Sequence, residues 1–161
     1  MVDRDVWASC CAPFVASDHE VVRRMLQVAG VGPDDVVYDL GSGDGRILFT
    51  AVKEFGARKA VGYEIRKDLI ERCLEQVRIQ NLQDRIKVYR ADLFKADISE
   101  ATVITLYLTS SANQRLRPKF EREARNGTRI VSHDFDIYGW RPVLKENFKG
   151  HTIYLYVVRR R

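Results

Sequence analysis

The chain has 161 residues, 45% of them apolar and 30% charged, with a net charge of +5. That length fits one domain with a sizeable core, and no stretch approaches the ~20 apolar residues that a membrane span needs. Asp3, Arg4 and Asp5 break the basic-then-apolar layout of a secretory signal, and Cys10, Cys11 and Cys73 form neither a zinc spacing nor an even disulfide framework, so a cytoplasmic protein is expected. The basic excess can attract acidic partners, including nucleic acid, but it is modest and reads first as a solvated surface; Arg159–Arg161 reads as a frayed tail.

Residues 1–16 read as an irregular arm, and 17–161 as a single domain of alternating elements. From Asp18 to Ala29 the apolar residues Val21, Val22, Met25, Leu26 and Ala29 recur at helical spacing, with Ser17 or Asp18 as the N-cap. Gly32-Pro33-Asp34 is a turn, and Val36–Leu40 a buried strand. The pattern then predicts a helix over Gly45–Phe55, a strand over Lys59–Glu64, a helix over Arg66–Gln80 and a strand over Ile86–Arg90. A strand follows at Thr102–Leu108, then a helix at Ala112–Ala124 that Pro118 should kink or restart, and a strand at Thr128–Ser132. Val143–Phe148 and His151–Val158, joined at Lys149-Gly150, read as a hairpin. Strands alternating with helices imply a parallel sheet covered by helices.

The most informative stretch is Asp39-Leu40-Gly41-Ser42-Gly43-Asp44-Gly45-Arg46. A strand ends in an acid, a glycine-rich turn follows, and Glu64 closes the next strand. A strand, a glycine-rich turn, a helix and a later acid describe a nucleotide pocket in which the acid meets a ribose. The usual spacing is G-x-G-x-x-G/A, but here the third glycine comes one residue early and Arg46 holds its place. A bulky charged residue there suits a ligand without phosphates and with an amino-acid end.

At this point the chain resembles the class I S-adenosylmethionine-dependent methyltransferases, whose first motif is acid-x-Gly-x-Gly-x-Gly. The resemblance implies a Rossmann-like seven-stranded sheet, mostly parallel, with helices on both faces and a C-terminal antiparallel hairpin strand. It implies S-adenosyl-L-methionine as cofactor: Asp39 toward the ammonium of its methionine part, Gly41, Gly43 and Gly45 giving the backbone close approach, Glu64 on the ribose hydroxyls and Ile65 lining the adenine. Asp92 would take the adenine amino group and the Leu93 amide a ring nitrogen, although Asp97 competes for the role of Asp92. The fourth strand lacks the Asn/Asp-Pro-Pro-aromatic motif of many amino-methylating enzymes and has Leu106-Tyr107-Leu108-Thr109 instead.

Further segments narrow the resemblance: Pro13–Ser17 with Glu20–Leu26, Ile98–Thr102, Leu106–Leu108, Asn113, Leu116-x-Pro118-Lys119, Gly127–His133, Trp140 and Tyr154–Tyr156. Together they look like the small archaeal protein-lysine methyltransferases, which are similar to the enzymes that methylate the mitochondrial ATP synthase c-subunit. The implied partners are proteins with an accessible lysine, and a monomer is plausible. The family's proline-bearing segment before the first helix is Phe14-Val15-Ala16-Ser17-Asp18 here, so both prolines are gone. Phe14 and Ser17 remain as cofactor contacts, Ser17 through its hydroxyl. Tyr107, Phe135 and Trp140 are candidates for the acceptor channel, with Tyr107 and His133 as catalytic candidates and Asp134 beside His133. The alternatives are an RNA or small-molecule methyltransferase and a non-catalytic cofactor-binding subunit.

Overall fold

The computed structural model describes residues 17–160, so the arm expected over 1–16, with Phe14, lies outside it. Strands β1 (Val36–Leu40), β2 (Lys59–Glu64), β3 (Ile86–Arg90), β4 (Val103–Leu106), β5 (Arg129–His133), β6 (Leu144–Phe148) and β7 (His151–Val157) form one sheet in the order β3-β2-β1-β4-β5-β7-β6. The pairs β1–β2, β2–β3, β1–β4 and β4–β5 are parallel. β7 inserts between β5 and β6 and runs antiparallel to both. Lys149 and Gly150 turn the β6–β7 hairpin with φ of 51° and 80°, the pair of positive values that a type I′ turn requires. The expected seven-stranded, mostly parallel sheet is therefore the one observed.

Among the described residues four helices cover it: α1 (His19–Val28), α2 (Arg46–Lys53), α3 (Lys67–Ile79) and α4 (Ser110–Glu123). Every residue of β1 is buried, as a central strand covered on both faces requires. Its side chains alternate between two cores because successive strand residues point to opposite faces. Val36, Tyr38 and Leu40 pack with Ile104, Leu106 and Ile130 and with Leu116 and Phe120 of α4. Val37 packs with Val103, Val131 and Ile153 and with Val22 and Leu26 of α1. A third cluster joins Leu48 and Val52 of α2 to Cys73 and Val77 of α3 over Ala60 and Ile86. So α1, α2 and α3 lie on one face and α4 on the other. No helix among the described residues is long and apolar enough to cross a membrane.

Most element limits shift by one or two residues from the sequence reading, and three differences have a local reason. α2 begins at Arg46 because Gly45, at φ 86°, is left-handed and cannot be a helical residue. β4 ends at Leu106 because its neighbours there, Leu40 of β1 and Ser132 of β5, are at the end of the paired register, so Tyr107 and Leu108 leave the sheet. α4 neither breaks nor restarts at Pro118. The cost of an interior proline, about 3 kcal/mol, is offset by the buried face Ala112, Asn113, Leu116, Lys119 and Phe120 and by the N-cap bond from the Ala112 N–H to Thr109 Oγ1.

Gly62 lies under the glycine turn, where a Cβ would sit 2.5 Å from Ser42 Oγ, 2.6 Å from Ser42 Cβ and 2.8 Å from Leu48 Cδ1. Gly62→Ala is expected to destabilise by about 1–3 kcal/mol, the usual cost of overpacking. Adding Ser42→Gly, which removes two of the three obstacles and a hydroxyl that has no hydrogen-bond partner, should recover part of that loss. Urea denaturation of the single and double variants checks this; a double variant no more stable than Gly62→Ala contradicts it.

Candidate active site

The strand carboxyl ends of a parallel sheet leave a crevice where neighbouring connections go to opposite faces. Here it opens beyond β1 and β4. β1 delivers Asp39, and the turn behind it has Gly41, Gly43 and Gly45 at φ 92°, 56° and 86°. Only glycine holds such values without strain. The turn hangs from β2: the Gly41 and Ser42 N–H groups both donate to the Tyr63 carbonyl, at 2.9 and 3.0 Å.

Glu64, the last residue of β2, is buried. Its Oε1 accepts from the Gly43 N–H at 2.9 Å, and its Oε2 from the Ile65 and Arg66 N–H groups at 2.8 and 3.0 Å. Three of roughly four acceptor positions of a carboxylate are thus used by the protein itself. The remaining one, on Oε1, is where a ligand hydroxyl can bond.

Asp39 is the contrasting acid. It is 3% exposed and accepts one side-chain bond, from Thr105 Oγ1 at 2.8 Å. Burial pushes its carboxyl up to about 7, the Thr105 bond opposes this, and the charges of Glu64 and Asp44 add to it. A buried acid with so few partners suits a cationic ligand group, whose approach would restore the carboxylate.

Arg46, the bulky charged residue at the usual third-glycine position, is committed within the protein. Its Nε and Nη2 donate to Asp44 at 3.1 and 2.6 Å, and Nη1 donates to the Ser17 carbonyl at 2.8 Å. It ties the glycine turn to the segment before α1. Asp92 caps the 3₁₀ turn Leu93–Lys95 by accepting from the Phe94 N–H at 2.9 Å, so one oxygen is occupied and Leu93 is buried beside it. Asp97 instead accepts from the amide and hydroxyl of Ser99. Ile65 is partly exposed at the exit of β2.

Beyond β4 and β5 the structure gathers Tyr107, His133, Ser17 and Asp134. Tyr107 stacks on His133 with ring centres 3.8 Å apart. His133 is 1% exposed, and both its nitrogens are engaged: Nδ1 lies 3.0 Å from Ser17 Oγ and Nε2 2.9 Å from Nδ1 of His151. Burial pushes His133 down to about 4, with Asp134 opposing and His151 adding, so it is neutral at pH 7. Burial and the nearby Asp134 raise the Tyr107 phenol, which therefore stays protonated.

Two residues here escaped the sequence reading of the site. His151 reaches His133 only because β7 lies beside β5. Asn113 was noticed only as part of a family-like segment. It is fully buried, donates to the carbonyls of Phe135 and Asp136 at 3.1 Å each, and keeps a buried Oδ1 without a partner. It thereby fixes the loop that carries Phe135. Trp140 is not brought to this cluster: its Nε1 donates to Glu121 in the last turn of α4 at 3.2 Å, and its ring packs near Phe120 and Tyr156.

A family model for the ANTKMT methyltransferase domain matches residues 39–144. The chain is 47% identical to a protein-lysine N-methyltransferase of Saccharolobus islandicus (strain REY15A), covering 91% of this chain and 93% of that protein. It is 31% identical to the adenine nucleotide translocase lysine N-methyltransferase of Mus musculus over 81% of this chain, but spans only 56% of that longer protein. Among solved structures, an RNA methyltransferase from Salinibacter ruber in complex with S-adenosyl-L-homocysteine superposes with a TM-score of 0.88 at 44% identity, covering 91% of this chain and 95% of that one.

Asp39→Asn retains an acceptor for Thr105 and removes the titration. The folded carboxyl lies near 7 against a usual 3.8, so folding favours its protonated form. Its stabilising contribution is complete below pH 3.8 and is lost as the pH rises through 7. In ligand-free protein, the stability of Asp39→Asn relative to wild type should therefore grow by up to about 4 kcal/mol between pH 4 and pH 8. Urea denaturation at the two pH values measures it, and a pH-independent difference contradicts it.

Proposed function

The chain belongs to the ANTKMT methyltransferase domain family and is an S-adenosyl-L-methionine-dependent methyltransferase, and we propose that its acceptors are lysine ε-amino groups of proteins. The observation that carries the acceptor is the near full-length similarity to the Saccharolobus protein-lysine enzyme. The Salinibacter structure, described as an RNA methyltransferase, favours a second reading in which RNA is the acceptor. Cysteine usage supports a cytoplasmic location.

The pocket residues fit the cofactor. A glycine turn at positive φ brings backbone against a ligand, Glu64 keeps one acceptor position beyond its three backbone bonds, and the buried Asp39 carboxyl is bonded by the Thr105 hydroxyl and suits a cationic ligand group. When bound, the cofactor supplies an electrophilic methyl on a sulfonium. In our reading Asp39 receives its ammonium, Glu64 a ribose hydroxyl, and Ile65, Asp92 and the Leu93 amide the adenine. Ser17 turns its hydroxyl between His133 and the cofactor carboxylate. Phe14 belongs to the same expectation from outside the described residues.

Tyr107 and Phe135 face the acceptor, and His133 acts as a positioning residue through its stack on Tyr107. Placement alone contributes up to about 7–11 kcal/mol in well-oriented reactions. A lysine must arrive neutral, yet with a reference pKa near 10.4 only about 1 in 2,500 is neutral at pH 7. Neither Tyr107 nor His133 offers a free basic atom, since the phenol stays protonated and both imidazole nitrogens are engaged. Loss of the proton to solvent then suffices without a dedicated base, favoured by aromatic walls and the adjacent sulfonium charge.

Incubation of the full chain with methyl-labelled cofactor and separated protein and RNA fractions tests the acceptor. Label in protein, placed on lysine by mass spectrometry, is the expected result; label confined to RNA overturns it. Glu64→Gln should weaken cofactor binding at least about tenfold, the loss of one charged hydrogen bond or more. Tyr107→Ala should lower kcat while the cofactor Kd stays within about twofold, because the ring acts on the acceptor side of the transfer. Calorimetry with S-adenosyl-L-homocysteine separates the two effects.

A further inference from the structure

We propose that His133, Asp134 and His151 form a binding site for one divalent transition-metal ion of the zinc class. The ligand atoms would be His133 Nε2, His151 Nδ1 and Asp134 Oδ2, and all three lie within 4.8 Å of one another. Their separations are 2.9 Å between the nitrogens, 3.2 Å from His151 to the carboxylate and 3.5 Å from His133 to it. An ion about 2.0–2.1 Å from each, the usual zinc distance to nitrogen or oxygen, would sit just under ~1 Å above the plane of the three atoms. That is close to the pyramidal position of a tetrahedral ion and leaves a fourth place open.

The surroundings match what metal ligands need. A ligating imidazole is usually fixed by a bond at its other nitrogen, and His133 Nδ1 has one, to Ser17 Oγ at 3.0 Å. Asp134 is held by its other oxygen, which accepts from the Thr152 N–H at 3.0 Å, leaving Oδ2 turned to the two rings. Asp134 takes the left-handed conformation at φ 67°, uncommon for a residue other than glycine. That conformation places its carboxylate next to the histidine that precedes it. His133 forms the buried floor of the site, while the side chains of His151 and Asp134 are 37% and 29% exposed, so an ion has a path from solvent. Two imidazoles and one carboxylate suit zinc, copper, nickel or iron better than magnesium or calcium.

The site would pin the exit of β5 to the start of β7 directly behind the ring that stacks on Tyr107. An ion there would set the orientation of His133, and through it the wall of the acceptor pocket, without touching the glycine turn.

The test uses the untagged full chain and Co²⁺ as a spectroscopic probe, with Zn²⁺ as competitor. One equivalent of Co²⁺ with visible absorption bands of a four- or five-coordinate ion, displaced by Zn²⁺, is expected. Loss of a mere outer-shell partner costs about 10–100-fold in metal affinity, so His151→Ala should cost more than about 100-fold. Asp134→Asn, which suits the left-handed backbone and still accepts from Thr152, should weaken binding comparably. A cooperative urea transition retained by both variants verifies that they are folded. Cys10→Ser combined with Cys11→Ser should leave the cobalt spectrum intact. The proposal is overturned by no stoichiometric uptake, by uptake that survives His151→Ala, or by uptake abolished in the cysteine variant.

Discussion

Three backbone N–H groups converge on the carboxylate of Glu64, and the shape of the pocket depends on that arrangement. The glycine turn runs past the end of β1, where its peptide groups need partners, because a buried unpaired amide costs about 1–3 kcal/mol. Tyr63 and Glu64, at the end of the adjacent parallel strand, answer this with a carbonyl and a carboxylate. A glutamine at 64 would present an NH₂ where an acceptor is needed, so the acid is required by the protein before any ligand arrives. The turn and the ribose acid are thus one hydrogen-bonded unit, and their fixed spacing follows from the β1–β2 register, in which Leu40 lies opposite Tyr63.

Asp39 and Glu64 show how two acids in one crevice acquire different work. Glu64 is satisfied by three backbone N–H groups of the fold. Asp39, bonded by the Thr105 hydroxyl, is pushed up to about 7 by its burial. The first organises the site; the second stores a deficit that a bound ammonium removes. The fold tolerates this deficit because the rest of β1 is apolar and covered on both faces.

Much of this was legible in the chain itself. Central parallel strands are buried on both faces, so Val36–Leu40 and Val103–Leu106 read as mainly apolar runs, broken only by Asp39 and Thr105, with the glycines just beyond β1 and Glu64 at the end of β2. The strand limits at Leu106 and the helix start at Arg46 were less legible because they depend on where a neighbour stops pairing or on a left-handed glycine. His151 was illegible as a site residue. Nothing in a hairpin strand announces that it will slot between β5 and β6, yet that insertion, pairing His133 with Ile153, is what brings the two histidines together. Trp140 errs in the other direction: an aromatic residue in a loop after β5 looks like a pocket wall, but α4 offers both an apolar surface and the Glu121 acceptor, and the ring goes there.

The two halves of the crevice are built from different materials, and this explains why the glycine motif speaks for the cofactor and not for the acceptor. The half beyond β1 and β2 is made mainly of backbone N–H groups, a carbonyl and two acids at fixed spacing from the strands. Its chemistry survives wide change elsewhere and leaves a compact pattern in the chain. The half beyond β4 and β5 is made of side chains from distant segments: Ser17 before α1, Tyr107 after β4, Asn113 in α4, His133 at the end of β5 with Phe135 beyond it, and His151 at the start of β7. What these side chains meet is set by contacts between distant segments rather than by one compact turn. A few substitutions there can reshape what the methyl group meets while the cofactor half stays intact, so acceptor chemistry can diverge between chains that share the fold and the glycine turn.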